Sequence, residues 1–116
     1  MNELTTINRC LVMVIPKQPF IEWENSVFPD LPMNPEDIIE CNSYLIQENS
    51  LFDEPKAALK KYWKKIFEEQ LVGICTDKSK WPKQLTWKLF SEWFDCRFSS
   101  MVIDLEKEPL YMKRFG

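Results

Sequence analysis

The sequence predicts a small α+β domain: a sheet of about three strands, antiparallel or mixed, packed with two to four helices. Three observations predict it. Cys10–Ile15 is an unbroken apolar run rich in β-branched residues, which reads as a buried strand. Ala58, Leu59, Tyr62, Trp63, Ile66, Phe67 and Leu71 recur at helical spacing and make one apolar stripe along a long helix. The other strand candidates are few, and few strands with amphipathic helices give an α+β arrangement. The element order reads β-α-β-α-α-β, with the first strand central.

Asn8–Ile15 forms the first strand and ends at Pro16. Its continuous apolarity predicts burial on both faces and so a central place in the sheet. Pro19 opens a short helix with Phe20, Trp23 and Val27 on one face. Pro29, Pro32 and Pro35 punctuate the next stretch. There Asn34-Pro35-Glu36-Asp37 supplies the cap, the first-turn proline and the acids of a brief helix start. Ser43–Gln47 reads as the second strand. The long helix spans Asp53–Val72, with Asp53 as its cap and Gly73 as its stop. Trp81-Pro82 marks a turn, and Thr86–Asp95 is a third helix with Trp87, Phe90 and Phe94 inward. Arg97–Leu105 is the last strand, with Asp104 near its end and Arg9 near the end of the first. If those strands pair antiparallel, Arg9 and Asp104 approach as an ion pair. Residues 1–105 thus make one α+β domain. Residues 106–116, polar and broken by Pro109, form a loose tail that Leu110, Tyr111 or Phe115 can dock.

The 116 residues are 45% hydrophobic, with five Trp, three Tyr and eight Phe, enough for a core without covalent staples. The longest apolar run falls far short of the ~18 residues that span a bilayer. The first residues lack the basic-then-apolar pattern of a leader. Cys10, Cys41, Cys75 and Cys96 form no Cys-x-x-Cys pair, so they read as reduced thiols and not as a zinc site. These features predict a cytoplasmic protein with no membrane partner and no cofactor. The chain has no histidine, which removes the commonest general base and the usual Ser/His and Cys/His dyads. Its only glycines are Gly73 and Gly116, which excludes a P-loop or a dinucleotide fingerprint.

The net charge of −3 hides a split. Between Gln18 and Glu54 there are nine acidic residues and no Lys or Arg; between Pro55 and Phe90 there are nine lysines and three acids. Lys60, Lys61, Lys64 and Lys65 concentrate on the long helix. Such a patch suits phosphate, nucleic acid or an acidic protein surface. It contains no arginine, the residue suited to bidentate phosphate contact, which argues against nucleic acid. The default is a solvated helix face, eased by Lys64–Glu68 and Lys65–Glu69 at i,i+4. The acidic half likewise has a default as solvated surface, since it shows no Ca²⁺-loop spacing. Trp93 falls off the apolar stripe of its helix, so it is either an exposed interface anchor or packed on the other side of the sheet or under the C-terminal tail.

Several runs carry a resemblance. Ile7-Asn8-Arg9-Cys10, Pro16-Lys17-Gln18-Pro19-Phe20, Trp81-Pro82, Phe90-Ser91-Glu92-Trp93-Phe94-Asp95 and Ser100-Met101-Val102-Ile103-Asp104-Leu105 look like a family of small uncharacterised bacterial proteins. The resemblance implies a bacterial, cytosolic, single-domain protein and carries no site residue with it. The expected function is a non-enzymatic protein-interaction module, with Lys60, Lys61, Lys64, Lys65 and Trp93 as its partner-binding residues. Self-association would set the acidic region of one copy against the lysine helix of another. Two alternatives stand beside it: a small-molecule-binding or histidine-independent catalytic domain, and nucleic-acid binding through the lysine helix.

Overall fold

The computed structural model describes residues 5–38, 40–48 and 54–114. Strands β1 (Arg9–Pro16), β2 (Ser43–Gln47) and β3 (Phe94–Ser99) form one antiparallel sheet in the order β2-β1-β3. Three α-helices accompany it: α1 (Gln18–Val27), α2 (Pro55–Ile74) and α3 (Trp87–Trp93). Short 3-10 turns lie at Pro35–Asp37 and Lys78–Lys80. The predicted α+β class, the central first strand and the bounds of the second strand all hold.

Burial on both faces of β1 does not hold. Cys10, Val12 and Val14 are buried, while Leu11 and Ile15 are half-buried and Met13 is 38% exposed. The buried set packs with Phe20 of α1, Leu59, Ile66, Phe67 and Leu71 of α2, and Phe90 of α3. All three helices therefore cover one side of the sheet. An unbroken apolar run shows that a strand is apolar on both sides, but not that both sides are covered.

Phe67 is fully buried at the middle of this layer. Its ring centroid lies 5.8 Å from Phe90 and 5.6 Å from both Trp93 and Phe94. Phe94 stands 4.9 Å from Phe20, so one aromatic cluster joins all three helices to the edge of the sheet. Two indole N–H groups fix the turn at Lys78–Lys80: Trp23 donates to the Lys80 carbonyl and Trp81 to the Cys75 carbonyl, each at 2.8 Å.

Helix α2 begins at Pro55 with Glu54 as its cap residue, and Asp53 lies outside the described residues. It does not stop at Gly73. The helix runs on to Ile74, and Cys75 closes it in extended backbone, its N–H donating to the Leu71 carbonyl at 2.9 Å. An extended C-cap needs no left-handed residue, so no glycine is required there. A Cβ on Gly73 would meet nothing within 4 Å. Gly73→Ala is therefore expected to stabilise the chain by about 0.5–1 kcal/mol, read as a higher urea midpoint.

The third helix is shorter than its pattern suggested. Thr86 caps it, its Oγ1 accepting the Leu89 N–H at 3.1 Å, but helix gives way to strand at Phe94 with no loop between. Phe94 belongs to both periods: 87, 90 and 94 fit a helix face, while 94, 96 and 98 fit one face of a strand. Pairing with β1 decides, because Pro16 and Ile15 sit opposite Phe94 and Asp95. The far end of the predicted strand also breaks. Ser99 Oγ bonds the N–H and the carbonyl of Met101, and among the described residues a single bridge, Thr6 to Ile103, continues the ladder.

The expected Arg9–Asp104 ion pair is not formed. Arg9 donates to the Asn8 carbonyl at 2.8 Å, and the Asp104 carboxylate accepts the Glu106 N–H at 2.9 Å. Beyond Ile103 the described chain has neither helix nor strand. Leu105 is 89% exposed, and Leu110, Tyr111 and Met112 are exposed with it, so Leu110 and Tyr111 do not dock on their own domain. Phe115 lies outside the described residues.

Candidate functional site

The lysines of α2 stand where the helical spacing put them. Lys60, Lys61, Lys64 and Lys65 are all exposed. Lys60 Nζ lies 5.6 Å from the centroid of the Trp87 ring, and Lys61 Nζ lies 5.4 Å from that of Tyr62 and 3.3 Å from Gln47 Oε1. The i,i+4 pairs Lys64–Glu68 and Lys65–Glu69 do not close; among the described residues the ion pair formed is Arg97–Asp95, at 3.4 Å. The acidic and lysine-rich halves of the sequence therefore meet without a salt bridge between described residues. Trp93 is half-buried, its ring 6.0 Å from Phe20 and 6.1 Å from Trp23, and it serves the aromatic core.

What joins the two halves is a chain of neutral and singly charged hydrogen bonds. Gln70, only 8% exposed, donates to the Tyr44 hydroxyl at 2.8 Å, and that hydroxyl donates to Glu69 Oε1 at 2.9 Å. Burial first, and then the bond to Glu69, push the Tyr44 pKa from 10.0 up to about 12. The stability tied to this hydroxyl is full below pH 10, where the unfolded chain also keeps its proton. It is lost as pH climbs from 10 toward 12, because the unfolded chain ionises first. Tyr44→Phe leaves the buried Gln70 amide without its acceptor, at a cost of about 1–3 kcal/mol at neutral pH. Urea melts of the variant should also lose the Tyr44 share of the decline between pH 10 and 12.

The uncovered side of the sheet is a second candidate. Leu11 lies opposite Leu45 in the β1–β2 register, and Met13 and Ile15 continue the line along β1, opposite Arg97 and Asp95 of β3. Leu45 is 55% exposed. Polar groups frame this line: Ser43 and Gln47 on β2, and Asp95, Arg97 and Ser99 on β3. A sheet whose free face meets water normally alternates apolar-in with polar-out. Here the outward positions of the central strand are Arg9 at its start and then Leu11, Met13 and Ile15.

A third feature is a cleft of about 340 Å³ between α1, the segment leading into β2 and the end of α2. Val14, Phe20, Ile21 and Ile74 give it apolar walls, and Glu24, Asp37 and Glu40 line it with carboxylates. Asn25 holds the segment to α1 through two bonds to Met33, at 2.8 and 2.9 Å. Asp37 is fixed by the Asn34 N–H at 3.0 Å. Burial pushes the Glu24 carboxyl above its ordinary value. Sequence reading did not assemble these residues, because their convergence depends on the path of a Pro-rich segment with no periodicity of its own. The available signal was the absence of any Lys or Arg from Gln18 to Glu54.

Of the cysteines, Cys96 faces the core side of β3. Burial and the adjacent Asp95 carboxylate push its thiol up to about 11, so it stays protonated at neutral pH. Comparison with family models, curated proteins and solved structures returned no match to this chain. No described helix is long and apolar enough to cross a membrane.

Proposed function

We propose that this chain is a non-enzymatic protein-interaction module that pairs with a second copy of itself through the open face of its sheet. The supporting observation is the line Leu45, Leu11, Met13 and Ile15, contiguous across two strands and left uncovered by all three helices. Contiguous exposed apolar surface of this kind supports an interaction site there. The occupant is argued from charge. Asp95 and Arg97 lie on the same face, paired at 3.4 Å, and in a two-fold pair each can meet the opposite charge of the partner copy. The C-terminal segment supplies the remaining area. The whole face, about five residues long and three strands wide, covers roughly 250 Å² in plan, well under the ~800 Å² per partner of a stable interface. Met101, Leu105, Leu110, Tyr111 and Met112 are exposed as well, and their burial in the pair would bring the contact toward that size.

Salt separates this pairing from association of the acidic region with the lysine helix. Light scattering at roughly 0.05 M and 1 M salt reads the mass under weak and strong screening. A dimer that survives high salt supports the sheet face. One that exists only at low salt points instead to Lys60, Lys61, Lys64 and Lys65, and a monomer at every salt and concentration rejects self-association.

A further inference from the structure

We infer that the cleft between α1 and the end of α2 is a binding site for an organic cation, an ammonium carried on an alkyl stem. The inference does not rest on pairing through the sheet face. Three properties carry it. The volume, about 340 Å³, falls within the ~300–1,000 Å³ of small-ligand sites. Its charge is of one sign: Glu24, Asp37 and Glu40 line it, and none of the described lining residues is Lys or Arg. Its walls are apolar, with Phe20 and Ile21 buried and Ile74 half-buried beside them. A solvated acidic surface needs no such walls, and a bare inorganic cation gains nothing from them. An ammonium on a short alkyl chain uses both, with its head among the carboxylates and its stem on Phe20, Ile21 and Ile74.

Glu24 is the residue that most needs such a ligand. It is half-buried on α1, burial alone raises its pKa, and no described cation forms an ion pair with it. An incoming ammonium supplies the missing partner. Gln70 lies at the cleft as well, its amide N–H₂ already committed to Tyr44. Its carbonyl oxygen is an acceptor only, which also suits a donor-rich head group.

The same chemistry has two sources, a free alkylamine or a lysine side chain from another protein. The experiment is a ¹⁵N-resolved NMR titration of the full chain with hexylamine, with Nα-acetyl-lysine methylamide, and with hexanol as the uncharged control. Support is saturable shifts clustered on Glu24, Asn42, Gln70 and Gly73 with an amine, and binding about tenfold weaker in Glu24→Gln. Tighter binding of hexylamine assigns the site to a free amine; tighter binding of the lysine derivative assigns it to a protein side chain. Gly73→Leu is the second variant. The glycine lines the cleft, and a side chain there meets no neighbour within 4 Å at its Cβ, so it fills the space without disturbing the core. It should remove amine binding without lowering the thermal midpoint, which the better helix former is expected to hold or raise. The inference is overturned by the absence of clustered shifts at ~10 mM amine, a concentration well above a 1 mM dissociation constant. Equal binding of hexanol, or undiminished binding in both variants, also overturns it.

Discussion

Phe67→Ala is expected to cost about 3–5 kcal/mol, a large part of the ~5–15 kcal/mol that holds a domain of this kind together. The size follows from position. Phe67 is fully buried, and its ring meets Phe90 and Trp93 on α3 and Phe94 at the start of β3. The other aromatics cannot collapse into the space, because each is held elsewhere: Phe94 by Phe20, Trp93 by Trp23, and Phe90 by Trp63 and Trp87. Removal of one ring opens a cavity and cuts the link between α2 and the α3–β3 corner together. Denaturant unfolding should show a much lower midpoint with an unchanged slope. A loss below about 1 kcal/mol would mean that α2 is not seated on the sheet as described.

The second large effect falls on association and not on stability. Met13→Lys with Leu45→Lys puts two like charges on the open face of each copy, at positions 38% and 55% exposed. In the folded monomer these side chains meet mostly water, and surface substitutions of this kind usually stay within about 0.5 kcal/mol each. Across a two-fold interface the same lysines would face one another, desolvated and of one sign. Pairing should fail while the thermal midpoint of the monomer holds.

Sequence patterning made the skeleton of the fold legible wherever one period ran without interruption. The apolar run of β1, the stripe of α2 and the five residues of β2 each pointed to one element. It failed where two periods shared a residue, as at Phe94, or where a stop signal went unused, as at Gly73, which the helix passes because its end is closed by extended backbone at Cys75. The apolarity of Leu11, Met13 and Ile15 was visible in the sequence, but their exposure was not, since it depends on which side the helices take. The acidic cleft was legible only as a composition. Nothing in the spacing of Glu24, Asp37 and Glu40 shows that a Pro-rich segment carries them to the same hollow. Trp93 met neither expectation: it is neither an exposed anchor nor packed beyond the sheet or under the tail, because Phe20, Trp23 and Phe67 on distant elements receive its ring.

The charge split changes meaning in the folded chain. The lysines form an exposed ridge on α2, the acids of α1 and the following segment rim a cleft, and no described ion pair links them. The opposite charges of the two halves do not hold each other in place; the uncharged Tyr44–Gln70 contact and the bond from Tyr44 to Glu69 join them instead. That leaves the uncovered apolar line on the sheet as the surface that most needs a partner. Sedimentation equilibrium of the wild-type chain beside the Met13→Lys, Leu45→Lys variant, both at high salt, tests this most directly. Pairing through the open face predicts twice the 13.9 kDa chain mass for the wild type and the single chain mass for the variant. Equal masses for the two proteins, whether both single or both double, would contradict it.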